Sequence, residues 1–222
     1  MDSIAKYIDH TLLSPGATKL QIEKLCNEAL EYGFASVCVP PIYVPLASQL
    51  LQGQDQVKVC TVIGFPLGYN LSRTKAFEAQ QAILLGAHEI DMVINQTMLK
   101  NKDWKGVEND IKEVKIACQD KLLKVILETA HLDHEEIQKA CEVAEIAGAD
   151  FVKTSTGFGQ GGASLEAVKL MKSSITDKVK IKASGGIRDA VTAQQYINLG
   201  VSRIGTSSGV AIVEGKISDK NY

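Results

Sequence analysis

The chain has 222 residues, 45% of them hydrophobic and 23% charged, a composition typical of folded globular proteins that excludes disorder and collagen-like repeats. Its 24 basic residues nearly balance 26 acidic ones, and the net charge is −2. The chain therefore lacks the excess of positive charge that binding to nucleic acid or an anionic membrane requires. Any charged substrate must be held by local groups.

Eight short β-rich segments recur along the chain and are predicted to be strands. Most lack strict alternation of apolar and polar residues, which is typical of parallel strands covered on both faces by helices. In chain order they are Ile8–Thr11, Ser36–Val39, Val57–Ile63, Glu89–Ile94, Leu122–Glu128, Asp150–Thr154, Val179–Ala183 and Arg203–Gly205.

Amphipathic helices are predicted between these strands. The first has apolar residues at three- and four-residue spacing from Ile22 to Leu30 and ends before Gly33. Another begins with Asp133 and Glu136, spaced as in a capping box, and ends at Gly148. Further helices are predicted at Ile42–Leu51, Ser72–Leu85, Trp104–Cys118, Leu165–Ser174 and Ala190–Leu199.

The alternation of strand and helix continues from end to end, without a linker rich in proline or serine. It predicts one domain over residues 1–222 with a short C-terminal tail from about residue 215. Such units build either a doubly wound open sheet or a closed barrel. Eight units of about 28 residues each, enough for a strand, a helix and two short loops, favour a single (β/α)₈ TIM barrel of the α/β class.

The five cysteines are odd in number and have no paired short spacing, which predicts reduced thiols and a reducing cytoplasm rather than a cysteine-based zinc site. The first residues lack the pattern of an export signal, and the longest apolar runs fall far short of the ~20 residues that span a bilayer. We therefore expect a cytoplasmic protein without membrane partners.

Two predicted strands carry a lysine in an apolar setting near their carboxyl ends, Lys153 and Lys182. In a barrel that end is the catalytic face. Burial favours the neutral amine, and a neighbouring charge would lower each amine's pKa further, so Schiff-base chemistry on a carbonyl is our hypothesis. The alternative is that both lysines lay their stems along apolar wall and place their ammonium groups in water, as Lys180 is expected to do.

Asp91 lies between apolar residues in the fourth strand and needs either a cationic partner or a role in proton transfer. It could hold a lysine in its required protonation state or relay protons through water. A buried structural ion pair with an arginine is the alternative. Strand periodicity places Glu89 on the same side, lower in the barrel. Asp9, His10 and Thr11 at the end of the first strand either face the site or simply tie loops together.

Glycine-rich loops follow the last two strands, at the position where barrels commonly bind phosphate. Gly185 and Gly186 follow the Lys182 strand, whereas Gly205, Ser207 and Ser208 end the last strand and its loop. Gly157, in the loop after Lys153, would form a third side of this site. Tight turns alone are the simpler explanation for any one of these loops.

A metal site is not expected. His131 and His134 are three residues apart, but no third ligand follows at metal spacing. We therefore predict neither a metal nor another cofactor.

Five segments, taken in order, resemble the deoxyribose-phosphate aldolase family over nearly the whole chain. The Lys-Thr-Ser-Thr-Gly stretch and the Lys-x-x-Gly-Gly stretch are specific when they occur in this order. The segments are Ile8–Leu13, Val62–Gly68, Glu89–Asn95, Phe151–Gly157 and Lys182–Gly186.

The resemblance implies a metal-free class I aldolase that reversibly cleaves 2-deoxy-D-ribose 5-phosphate into D-glyceraldehyde 3-phosphate and acetaldehyde, in deoxynucleoside breakdown. Lys153 matches the Schiff-base lysine, Lys182 the second lysine and Asp91 the proton-relaying aspartate. The glycines and serines of the three loops match the segments that hold phosphate. Family members often end in tyrosine, which implies an auxiliary role for Tyr222.

Two positions depart from the family pattern: Pro40 follows the second strand, and Phe158 stands where some members have a lysine near the phosphate. The alternatives are another Schiff-base sugar-phosphate aldolase, such as one acting on a ketose, and a non-catalytic sugar-phosphate-binding barrel. The sequence leaves a homodimer or a higher homo-oligomer open.

Overall fold

A computed structural model describes residues 3–218 of the chain, and the protein forms a closed barrel of eight parallel strands. Each strand pairs with the next in the sequence, and the first pairs with the last, which closes the barrel. This closure confirms the TIM barrel and excludes the open sheet. The strands are β1 (Ile8–Thr11), β2 (Ser36–Val39), β3 (Lys58–Ile63), β4 (Glu89–Val93), β5 (Leu122–Ile126), β6 (Phe151–Lys153), β7 (Lys180–Ser184) and β8 (Arg203–Thr206).

Helices surround the barrel and connect successive strands. The seven helices predicted from the sequence are all present, whereas the sequence analysis missed the five-residue helices α4 and α9, which are too short to show a periodic pattern. The α-helices of the described residues are α1 (Lys19–Tyr32), α2 (Val44–Leu50), α3 (Ser72–Leu84), α4 (Gln96–Lys100), α5 (Trp104–Cys118), α6 (His134–Ile146), α7 (Leu165–Ser173), α8 (Ala190–Asn198) and α9 (Gly209–Val213).

Local signals set several of the boundaries. The Asp133 carboxylate accepts a hydrogen bond from the Glu136 backbone N–H, and the Glu136 carboxylate accepts one from the Asp133 backbone N–H. The predicted capping box at the start of α6 is therefore confirmed. The α1 helix ends at Gly33, whose φ is +67°. The predicted fifth strand was too long at its end: β5 ends at Ile126, because Glu128 adopts left-handed backbone with φ +59° and turns the chain out of the sheet.

The two faces of the sheet differ sharply. One set of strand side chains, including Val37, Ile90, Val125 and Ile204, packs against the helices in a continuous buried apolar core. The alternate positions point into the barrel. There the small apolar cluster of Leu13, Cys38, Cys60 and Val62 lies apart from the main core.

Charged side chains fill most of the remaining barrel interior. Arg203 contacts Glu89 at 2.7 Å and Asp9 at 2.5 Å, which brings β8, β4 and β1 together across the barrel. Lys124 on β5 contacts Glu89 at 2.6 Å. The prediction that Glu89 lies inside the barrel is confirmed, and its carboxylate joins two cations from different strands.

Three further observations concern the whole chain. Among the described residues, no helix is long and apolar enough to cross a membrane. All five cysteines are buried and free. The end of the predicted tail, including Tyr222, lies outside the described residues.

Removing the Glu89 carboxylate should destabilise the protein, because it leaves Lys124 and Arg203 short of a buried partner. We expect Glu89→Gln to lower the free energy of unfolding by about 3 kcal/mol at neutral pH, measured by chemical denaturation. Burial opposes ionisation of Glu89, but Lys124 and Arg203 outweigh it and lower its pKa. The loss should therefore be full above about pH 4.3 and shrink as the pH falls further.

Glu108→Gln on α5 is the matched control, since Glu108 pairs with Lys105 and Lys112 at the surface. It should change stability much less. Equal effects of the two substitutions would contradict a stabilising role for the interior network.

Candidate active site

Lys153, Lys182 and Asp91 meet inside the barrel. The Asp91 Oδ2 atom accepts a hydrogen bond from Lys153 Nζ and another from Lys182 Nζ, both at 2.8 Å. The two lysines are register partners on the neighbouring strands β6 and β7, as the sequence predicted. All three side chains are buried, with Lys153 3% exposed and the other two not exposed at all.

Lys124 is a third lysine at this centre, and the sequence analysis missed it. Its ammonium group donates to Asp91 Oδ1 at 3.0 Å as well as to Glu89. The signal was present in the sequence, because Lys124 lies between Leu123 and Val125 much as Lys182 lies between Ile181 and Ala183. Asp91 therefore accepts hydrogen bonds from three ammonium groups, and the alternative of an arginine partner is wrong for this residue.

Asp9 is the second carboxylate that holds Lys182, at 2.5 Å. The sequence analysis expected burial to lower the pKa of Lys182, and this expectation is wrong. Burial does act in that direction, but the carboxylates of Asp9 and Asp91 outweigh it and raise the pKa of Lys182 well above its usual value. Lys182 is therefore a buried ammonium group near neutral pH.

The same interactions act in reverse on the carboxylates. Burial favours the protonated form of Asp91, but the ammonium groups of Lys124, Lys153 and Lys182 outweigh it, and the pKa of Asp91 lies well below its usual value. The pKa of Asp9 is lowered for the corresponding reason, with Lys182 and Arg203 as the main cations. Both carboxylates are ionised over the whole physiological range.

Counting charges singles out one amine. Three carboxylates face four cationic side chains inside the barrel: Asp9, Glu89 and Asp91 against Lys124, Lys153, Lys182 and Arg203. Lys124, Lys182 and Arg203 each contact two carboxylates, whereas Lys153 contacts only Asp91 among the described residues. One positive charge is in excess, and Lys153 is the cation with the fewest counter-charges.

The loop after β6 is held by a residue that the sequence analysis did not single out. The buried carboxylate of Glu128 accepts hydrogen bonds from the backbone N–H and the hydroxyl of Thr156. Thr156 Oγ1 in turn accepts from the Phe158 N–H at 3.0 Å. A Cβ on Gly159 would lie 3.2 Å from the Glu128 carboxyl carbon, so the loop passes close to this anchor.

The predicted phosphate-binding residues lie on three neighbouring loops. Gly157, Gly185 and Gly186 all have φ between +80° and +90°, a conformation that favours glycine. A Cβ on Gly185 would lie 2.9 Å from Gly162 Cα, so the loops after β6 and β7 pack against each other. Ser207 and Ser208 follow β8, and the hydroxyl of Ser208 is buried without a partner among residues 3–218.

Gly205 differs from the other glycines because it lies within β8. A Cβ at this position would be 3.0 Å from Lys182 Cε, so the absence of a side chain leaves room for the Lys182 stem. The position accounts for the glycine without any contact to phosphate.

Other candidate residues lie away from this centre. Lys180 is exposed, as expected. His131 contacts Gln96 and His134 contacts Glu166, and the one close group of metal-ligating side chains among the described residues contains neither histidine. His10 points away from the barrel interior. On that outer side of the sheet its ring nitrogen pairs with Glu28 at 2.8 Å.

Comparison with known proteins identifies the family. A family model described as DeoC/LacD family aldolase matches residues 3–215. The chain belongs to this aldolase family. The match spans every strand of the barrel and all the interior charged residues, so this aldolase carries its candidate site within the matched region.

Individual relatives agree. The aldolase is 57% identical over 220 residues to deoxyribose-phosphate aldolase from Clostridium perfringens strain 13, covering 99% of this chain and 98% of the relative. It is 56% identical to the protein of that name from Geobacillus sp. strain WCH70, covering 100% and 99%. The tetrameric deoxyribose phosphate aldolase structure from Aeropyrum pernix superposes with a TM-score of 0.85 at 36% identity, covering 95% and 89%.

Proposed function

We propose that this aldolase reversibly cleaves 2-deoxy-D-ribose 5-phosphate into D-glyceraldehyde 3-phosphate and acetaldehyde through a Schiff base on Lys153. The full-length relatives named deoxyribose-phosphate aldolase support the overall reaction. The observation that carries the assignment of residues is the contact of Lys153 and Lys182 with one oxygen of Asp91.

Lys153 is the best candidate for the nucleophile. An amine must lose its proton before it attacks a carbonyl. If Lys153 loses its proton, three cations face three carboxylates and only one carboxylate loses a cationic partner. If any other of the four cations loses its proton, two carboxylates each lose a cationic partner. Lys153 also lies at the carboxyl end of β6 and is the most exposed of the three lysines.

The reaction then proceeds in balanced steps. The Lys153 amine adds to C1 of the open-chain sugar, and loss of water from the carbinolamine yields an iminium ion. Removal of the proton from the C3 hydroxyl breaks the C2–C3 bond, and the electron pair of that bond moves into the iminium to form an enamine. D-Glyceraldehyde 3-phosphate leaves, the enamine carbon is protonated, and hydrolysis frees acetaldehyde and the Lys153 amine.

Lys182 and Asp91 supply the proton transfers in this scheme. Lys182 is an ammonium group that can donate to the carbinolamine hydroxyl and to the enamine carbon. Asp91 stays ionised, so it can accept the C3 hydroxyl proton through a water molecule, and it also orients both lysines and stabilises the iminium charge on Lys153. The raised pKa makes Lys182 unsuitable as a competing nucleophile, which separates the roles of two lysines that contact the same oxygen.

We place the substrate phosphate against the three glycine-rich loops, with Gly157, Gly185 and Gly186 allowing close approach of backbone N–H groups. Ser207 and Ser208 complete the site, whereas Gly205, which the family resemblance also implies, is accounted for by the room it leaves for the Lys182 stem. The exposed side chain of Arg188 follows Gly186 in the same loop and supplies a cation. The positive charge of Arg188 is needed because Phe158 stands where some family members have a lysine. The Phe158 ring instead packs edge-on against Phe65.

Of the alternative functions, a non-catalytic sugar-phosphate-binding barrel would have no use for three lysines around one carboxylate. A Schiff-base aldolase acting on a ketose would keep the same centre, so substrate assays separate it from the proposed reaction. The auxiliary role of Tyr222 remains a proposal. The backbone N–H of Ser218 donates to the Arg188 carbonyl, so the described end of the chain lies beside the proposed phosphate loop.

We also infer that the protein acts in a reducing cytoplasm, where five free cysteines are stable.

Self-association is a further part of the proposal. Phe77 and Leu84 on α3 and Ile116 on α5 are each at least 60% exposed, and their two helices pack together. Such an exposed apolar face suits contact with a second copy of the chain.

The Schiff base can be trapped directly. Adding acetaldehyde and then borohydride should label Lys153, as located by mass spectrometry of peptides, because reduction fixes the iminium to the lysine that forms it.

Lys182→Leu should fold but slow cleavage by roughly 10²- to 10⁴-fold, because a proton donor is lost.

Lys180→Leu is the matched control, since Lys180 lies on the same strand and is exposed. It should retain the normal rate. A label on any other residue would contradict the proposed nucleophile, and a normal rate in Lys182→Leu would remove that residue from the mechanism.

The phosphate site can be tested with two substrates. Arg188→Ala should lower kcat/KM for 2-deoxyribose 5-phosphate roughly tenfold or more through KM, because a charge-assisted contact is lost. Cleavage of unphosphorylated 2-deoxyribose should be unchanged. Lys172→Ala, at the surface of α7, is the control, and equal losses on both sugars would argue against a phosphate contact.

The oligomeric state can be measured by size-exclusion chromatography with light scattering. We expect more than one chain per particle and a smaller particle for Phe77→Asp, because a buried carboxylate without a partner disrupts the interface. Val191→Asp on α8 changes an equally apolar and exposed residue elsewhere and should have no effect. A monomeric parent protein would refute the proposal.

A further inference from the structure

Two cysteines that the proposed aldolase reaction does not use form a cluster with the central aspartate. Cys38 on β2 and Cys60 on β3 are register partners on adjacent strands, and both point into the barrel. Their sulfur atoms and an oxygen of Asp91 all lie within 4.8 Å of one another. The Cys60 thiol donates to Asp91 Oδ1 at 3.2 Å.

We propose that Cys38, Cys60 and Asp91 form an inhibitory binding site for a thiophilic divalent cation such as zinc. Two thiolates and one carboxylate are a ligand set that suits zinc, which takes sulfur at about 2.3 Å and oxygen at 2.0–2.2 Å. Tetrahedral geometry with these bond lengths puts the two sulfur atoms roughly 3.8 Å apart. The spacing of the cluster meets this requirement with only small shifts of the side chains.

The charge balance of the exchange is favourable. Binding of one divalent cation releases one proton from each thiol, so two thiols and one carboxylate, with net charge −1, become two thiolates, one carboxylate and a dication, again with net charge −1. The surrounding lysines therefore face the same total charge before and after binding. No oxidant or reductant takes part.

Neighbouring lysines lie close enough to stabilise negative charge on the sulfur atoms of this cluster. Lys124 Nζ lies 3.5 Å from Cys60 Sγ, within reach to donate a hydrogen bond to it. The pKa of Cys38 is lowered by the hydrogen bond with Cys60 and by the nearby ammonium groups of Lys182 and Lys153. The pKa of Cys60 is instead raised well above its usual value by burial, by the hydrogen bond with Cys38 and by Asp91, so the cation must displace the Cys60 proton.

A cavity lies close to the cluster at the carboxyl ends of β2 and β3. Leu13, Val62 and Phe65 cover the two cysteines, and the same three side chains line a cavity of about 140 Å³. The loops that follow β2 and β3 complete this cavity. A hydrated cation can therefore approach from the end of the barrel that admits substrate, after a movement of these apolar side chains.

Inhibition follows from competition for Asp91. A cation on Asp91 Oδ1 occupies the position at which Lys124 donates, and it draws electron density from the oxygen that holds Lys153 and Lys182. This part of the inference rests on the proposed role of Asp91 in the aldolase reaction. Binding itself does not, because it depends only on the three ligands.

The test measures binding and inhibition separately. Titration of the intact enzyme with cadmium chloride, without substrate, should produce a sulfur-to-cadmium charge-transfer band in the ultraviolet that saturates at one cation per chain. Zinc chloride should abolish the band by competition. In assays with 2-deoxyribose 5-phosphate, zinc should lower the rate at least tenfold, and a chelator should restore it.

Cys38→Ala and Cys60→Ala should each weaken cadmium binding by roughly 10- to 100-fold and remove zinc inhibition, each variant being compared with its own metal-free rate. Cys60→Ser is the alternative if the alanine variant fails to fold. Cys141→Ala on α6 removes an equally buried cysteine and should behave as the parent protein. Loss of the zinc effect in that control would place the site elsewhere.

Absence of a cadmium band, or a band that survives both cysteine substitutions, would overturn the site. A normal band without zinc inhibition would overturn the inhibitory claim. Failure of borohydride trapping at Lys153 would instead contradict the proposed reaction, since that experiment involves neither cysteine. The two proposals can therefore fail independently.

Discussion

The carboxylate of Asp91 accepts hydrogen bonds from three lysine ammonium groups inside a closed barrel, and much of the rest of the structure serves to make that arrangement possible. One carboxylate cannot neutralise three ammonium groups in a medium of low dielectric constant. Asp9 and Glu89 are therefore needed as further counter-charges, and Arg203 contacts both of them. The chemistry and the stability of the barrel interior depend on the same set of contacts.

This arrangement explains the division of the sheet into two faces. A polar interior contributes little hydrophobic stabilisation, so the continuous apolar core lies between the outer face of the sheet and the helices. The apolar cluster around the two interior cysteines is small and lies beside the charged residues. The barrel thus separates the layer that holds the fold together from the layer that performs the reaction.

The same charge balance assigns different roles to chemically identical side chains. Lys182 and Lys124 are each held by two carboxylates and stay charged, whereas Lys153 contacts one and lies closest to solvent. The loops supply specificity around this centre. Glu128 anchors the loop after β6 through Thr156, and Gly185 brings the loop after β7 against it, so the proposed phosphate site is held by contacts beyond the residues that would touch the ligand.

The sequence by itself determined the alternation of strands and helices, the number of units and the presence of two lysines at the ends of successive strands, because these follow from local periodicity and spacing. It also carried the family resemblance that pointed to an aldolase. Closure of the barrel, the neighbours of Asp91 and the pKa of Lys182 were decided only by the tertiary structure. The reason is that Asp9, Lys124 and Arg203 come from strands far apart in the chain, and the electrostatic effect of a charge depends on its distance in space, which sequence separation does not give.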